Sequence, residues 1–75
     1  MAIRVECAAG HRGEPEPIVL WLGERRLAVR GIVDRWFALT RRWFKVDAED
    51  GQHYVLRHDE TTGDWELAAL TRQDG

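Results

Sequence analysis

A single cysteine, Cys7, stands in the 75 residues, so no intramolecular disulfide can staple the chain. That usage fits a reducing compartment. No apolar run approaches the ~20 residues of a membrane span. Arg4 and Glu6 interrupt the N-terminus before a signal-peptide core can form. These absences predict a soluble, cytoplasmic protein. A phosphate-binding glycine loop is lacking as well, because Gly10-His11-Arg12-Gly13 has no Walker lysine. The length allows one domain, residues 1–70 with a polar tail at 71–75, and leaves little room to enclose a substantial pocket. We expect neither catalysis nor a cofactor, and no small-molecule substrate.

Aromatics and charge are what the chain does have. A domain this short buries only about 60–65% of its unfolded surface and needs some further source of stability. Trp21, Trp36, Trp43, Trp65, Phe37, Phe44 and Tyr54 offer one, at roughly 150–250 Å² of buried area each. Net charge is −2, but its distribution is uneven. Residues 23–45 carry Arg25, Arg26, Arg30, Arg35, Arg41, Arg42 and Lys45 against Glu24 and Asp34, a balance of +5. Residues 46–75 carry a balance of −6. Adjacent strands of opposite charge would neutralise one another. Alternatively, the basic segment faces an anionic partner.

Alternation with period two dominates. Ile3, Val5 and Cys7 share the inward phase of a first strand, so Cys7 reads as a small core residue. A loop spans Gly10 to Pro17. In 18–22, Ile18, Leu20 and Leu22 take one face and Val19 and Trp21 the other. Gly23-Glu24 makes a turn into a strand over 25–33. Gly31 predicts a bulge or a close approach; a bulge would bring Ile32 inward beside Leu27 and Val29. Trp43–Ala48 and Gln52–His58 flank Asp50-Gly51, a hairpin signal. Trp65–Leu70 is the last strand. Residues 34–42 read as a loop, with one or two helical turns begun at Asp34 as the second choice. The sum is all-β: a small antiparallel meander of five or six twisted strands, barrel-like, with at most one short helical turn.

Several of these residues form a recognisable pattern. Arg26-Leu27-x-Val29-x-x-Ile32-Val33-Asp34-Arg35-Trp36 is followed by Trp43-Phe44-Lys45-Val46, then Gly51-x-x-Tyr54-x-Leu56-Arg57-x-Asp59, then Gly63-x-Trp65-x-Leu67. Over roughly residues 18–67 this resembles a family of small bacterial proteins grouped as a domain of unknown function. Some of that family are associated with translesion DNA polymerases. The resemblance implies an accessory or binding role rather than an enzyme. The chain departs from the pattern at Gly23-Glu24, where the family has a basic residue after the glycine.

Candidate sites follow from residue chemistry. Cys7, His11, His53 and His58 have zinc-binding atoms, but there is no Cys-x-x-Cys pair. His53 and His58 fall on opposite faces of a regular strand, so no metal site is expected. Val19, Trp21, Trp43 and Val55 lie on the phase opposite their strands' inward residues. An apolar second face needs a cover, and a homodimer or a larger protein partner would supply it. The two Arg-Trp-Phe units, 35–37 and 42–44, divide: Trp36 and Phe44 belong to the core. Arg35, Arg41 and Arg42, with Trp43 and Phe37, form the recognition surface. Arg25, Arg26, Arg30 and Lys45 extend it, and the same stretch supports a second reading, single-stranded nucleic-acid binding. Asp34 and Arg35 read as structural, with Arg30 or Arg57 to meet Asp34, so that Asp34→Ala would cost stability.

Overall fold

The computed structural model describes residues 2–10 and 15–72. It is all-β, with six antiparallel strands in sequential order closing into a barrel. The strands are β1 (Ala2–Ala9), β2 (Pro15–Leu22), β3 (Arg25–Phe37), β4 (Arg41–Ala48), β5 (Gln52–Asp59) and β6 (Trp65–Arg72). Among the described residues no helix is long and apolar enough to cross a membrane. Gly23 and Gly51 adopt φ of 63° and 83°, a conformation that costs other residues a Cβ clash, and they turn β2 into β3 and β4 into β5.

Alternation sends one side chain in two to the interior. Leu20, Leu27, Phe44, Val46, Ala48, Tyr54 and Leu56 form the buried core, with Ile3, Val5, Leu22, Val29, Ile32, Trp65 and Leu67 packed against it. Phe44 and Trp65 meet at a centroid distance of 5.8 Å. The bulge expected at Gly31 is present: the β3–β4 register steps between Val29 and Gly31 and again between Ile32 and Asp34, and Ile32 packs on the core. Further steps lie between Glu6 and Cys7 and between Val55 and Leu56. Each bulge adds local twist, which a small barrel needs in order to close.

Closure is narrow. Among the described residues β1 meets β6 through only Ala2↔Glu66 and Ile3↔Trp65. Beyond Ile3, β1 is held by β2 alone. Cys7 lies there, past a register step, and is exposed rather than in the core. The inward phase of β1 outlasts the barrel wall that would have made it interior. The same step displaces β2: Ile18 is exposed, and Val19 is buried on what was expected to be the open face.

Residues 34–42 are neither loop nor helix. β3 continues through Phe37, only Ala38–Thr40 turn, and β4 begins at Arg41. β2 pairs only with residues 25–28 of β3, so residues 29–37 are held by β4 alone. The result is an arm: β3 runs past β2 with one edge open, backed by β4, which is itself paired with β5. The Ala38 N–H donates to the Arg41 carbonyl (2.9 Å), and the Glu60 N–H donates to the Thr40 carbonyl (2.7 Å), tying the tip to the β5–β6 turn. β6 runs on to Arg72, past the strand end expected at Leu70; residues 73–75 lie outside the described region.

Candidate functional site

Register places the two Arg-Trp-Phe units opposite one another on the arm, as Arg35↔Phe44, Trp36↔Trp43 and Phe37↔Arg42. Cross-strand partners share a face. Phe44 is buried, so Arg35 lies on the face that lines the barrel, and Trp36 and Trp43 lie on the outer face. The next outer row is Asp34↔Lys45↔Val55, and Trp43 continues to Arg57. Trp36, expected in the core, is 41% exposed because it lies on the outer face, which no other strand among the described residues covers. Val33 (51%), Phe37 (55%) and Leu39 (102%) are exposed beside it. Four of the six exposed large apolar side chains among the described residues therefore fall within residues 33–39. Leu39 was not singled out from the sequence, although an apolar residue within a polar turn is the signal that would have marked it.

The basic residues are largely neutralised by the acidic half of the chain. Arg25 meets Asp50 (3.4 Å), Arg30 meets Asp47 (2.9 Å), Arg41 meets Asp59 (3.8 Å) and Arg42 meets Glu60 (2.6 Å). Arg35 reaches back to Glu16 (2.5 Å) across the gap between the arm and the start of β2. Arg57 pairs with Glu66 (2.5 Å). Exposed pairs of this kind contribute about 0–1 kcal/mol each, so their main effect is on the field the surface presents. Hydrogen bonding to Asp47 and its charge raise the Arg30 pKa above its ordinary value. Arg26 and Lys45 carry no ion pair among the described residues, so the anion-facing strip expected over 25–45 is reduced to these two.

Asp34 corrects another expectation. It is exposed, and its carboxylate accepts the Arg35 N–H (2.8 Å) rather than a guanidinium. Arg30 and Arg57, the expected partners, are committed to Asp47 and Glu66. The stability loss expected of Asp34→Ala rested on burial that the fold does not impose.

Of the three interface candidates, Val55 is half-buried on the outer face beside Lys45, and Val19 is inside the chain and unavailable to a partner. Trp21 is half-buried, donates Nε1–H to Glu6 (2.8 Å) and lies under the Arg4 guanidinium at 4.6 Å. Its register partners are Arg4 and Arg26. Ile3, Arg4, Trp21, Gly23 and Glu24 line an open concavity of about 590 Å³ beside it.

On the arm's inner face the Arg42 guanidinium covers the Phe37 ring at 5.3 Å. His58, the next residue in that row, stacks on Trp65 at 4.3 Å with planes 14° apart. Pro15, Arg42, His58, Glu60 and Gly63 line a smaller hollow of about 230 Å³. His53 lies on the other face of β5 from His58, and its Nε2 is 3.8 Å from Asp47. Among the described residues no three metal-ligating side chains gather, and His11 lies outside the described region. No family model, no curated protein and no solved structure matches the chain.

Proposed function

We propose that this protein is a non-enzymatic interaction module that binds another protein chain through the β3–β4 arm. One observation carries the reading: large apolar side chains are concentrated at residues 33–39, on an arm tied at its tip to the β5–β6 turn. Contiguous exposed apolar surface rimmed by polar groups is characteristic of protein interfaces. The flanking ion pairs make the rim close to neutral, which suits an apolar contact better than an anionic one. A photoreactive residue at position 39 is expected to cross-link to protein in cells, and one at the exposed turn position Glu24 is not. Equal labelling from both positions, or adducts confined to nucleic acid, would refute the proposal.

Single-stranded nucleic acid is the second reading. What favours it lies away from the arm: Arg4 and Arg26, neither paired with a carboxylate among the described residues, flank Trp21. A base could stack there at about 1–3 kcal/mol. The nearby acids Glu6 and Glu24 oppose phosphate. Titrating a labelled single-stranded oligonucleotide at low salt is expected to show no binding at concentrations on the order of tens of micromolar. Binding that weakens steeply with added salt and is lost in Trp21→Ala would install this reading instead.

A further inference from the structure

The arm's outer face holds two opposite charges that have no ionic partner among the described residues. Among the described residues Asp34 accepts only a backbone N–H and Lys45 has no ion pair, although the two are cross-strand neighbours. The row beside them is Trp36 and Trp43. We infer that a second copy of this chain covers the face, packed about a two-fold axis that runs between β3 and β4, parallel to them. The inference rests on the arm being a protein interface and specifies the occupant.

Symmetry supplies the complementarity. An axis so placed lays β3 of one protomer over β4 of its partner at the same height. Asp34 then faces Lys45 of its partner, Trp36 faces Trp43 of its partner, and both contacts occur twice. Area is consistent with this. At roughly 200 Å² for a large side chain, the exposed parts of Val33, Trp36, Leu39 and Trp43 amount to on the order of 400 Å² per copy, to which Asp34, Lys45 and Val55 add. Doubled, this is about 800 Å² of apolar surface, the size of a small, weakly associating interface. Face packing is favoured over strand addition at the open edge of β3, because the bulges at Arg30 and Val33 twist that edge away from regular pairing.

Light scattering on the full chain tests this, at about 100 µM because an interface near the lower size bound associates weakly. Wild type is expected at twice 8.7 kDa. Asp34→Lys and Lys45→Asp each place like charges across the axis, weaken association about tenfold or more, and return the mass toward one chain. Mixing the two variants restores the doubled mass, since every cation of one copy then faces a carboxylate of the other; pairing within one chain cannot produce that rescue. Trp36→Ser is expected to be monomeric with an unchanged melting temperature. A wild-type mass of one chain at every concentration overturns the second copy and leaves the arm's role to the cross-linking result. A doubled mass that all three variants retain places the interface elsewhere, and the reading of the arm falls with it.

Discussion

Phe44→Ala is expected to lower the melting temperature by roughly 15–30 °C and to leave the chain substantially unfolded at 37 °C. Phe44 is 2% exposed at the centre of β4 and packs on Trp65. Trp65 in turn pairs with Ile3 in one of the two residue pairs that close the barrel. The cavity is therefore made beside the weakest part of the wall. Truncating a buried phenylalanine to alanine costs about 3–5 kcal/mol. A domain of this size has roughly 4–11 kcal/mol in total, and each kcal/mol is worth about 4–8 °C. Phe37→Ala is the control: the same atoms are removed from a ring that is 55% exposed under Arg42. It is expected to cost less than about 1 kcal/mol. Thermal melts followed by circular dichroism compare the two, and similar losses would mean that Phe44 is not the keystone of the closure.

That pair of residues also shows what could be read without coordinates. Phe44 is legible because it alternates with Val46 and Ala48, and all three are buried. Phe37 and Trp36 are not, because period two gives the face of a residue and not whether a neighbouring strand covers it. β2 stops pairing at Ala28, and the alternation of β3 carries no mark of where its neighbour ends. Cys7 and Val19 fail for a related reason: Cys7 lies on β1 beyond its pairing with β6, and the register step after Glu6 exposes Ile18 and buries Val19. The two Arg-Trp-Phe units held a signal that was there to be used. A seven-residue repeat around a short turn becomes one hairpin in which the tryptophans meet, so the repeat marked a turn near Leu39 rather than a loop or helix.

The charge asymmetry was legible in form, and only the fold could decide its meaning. Acids of the second half meet Arg25, Arg30, Arg41 and Arg42 because β4 pairs with both β3 and β5 and the turns bring Asp50, Asp59 and Glu60 to the strand ends. Opposite charges segregated in sequence are thus interleaved in space. What has no ionic partner among the described residues, Arg4 and Arg26 by Trp21 and Lys45 by Asp34, is what each binding proposal uses.

Tyr54 is expected to titrate near pH 12, and the protein to lose stability as the pH rises from 10. Burial pushes the phenol up first; its hydrogen bond to Asp50 (2.6 Å) and that carboxylate's charge add to the effect, and together they raise its pKa to about 12. Below pH 10 both folded and unfolded chains hold the proton, and the contribution is complete. Between 10 and 12 the unfolded chain has released it while the folded chain retains it, so stability falls with pH, by on the order of 2 kcal/mol in all. Tyr54 is the sole tyrosine, so the phenolate absorbance reports this one group. Asp50 sets the opposite edge. Partial burial alone would raise its pKa, but the Tyr54 hydroxyl, the Gln52 N–H and Arg25 hold it below the ordinary carboxylate range. Its contribution is present above about pH 4 and is lost as pH falls through that lowered value. Tyr54→Phe leaves the carboxylate with fewer donors, costs about 1.5–3 kcal/mol at neutral pH, and removes the alkaline slope. A native midpoint near 10, or an alkaline slope that survives the substitution, would place the phenol in water and remove Asp50 from the β4–β5 turn's hold on the core.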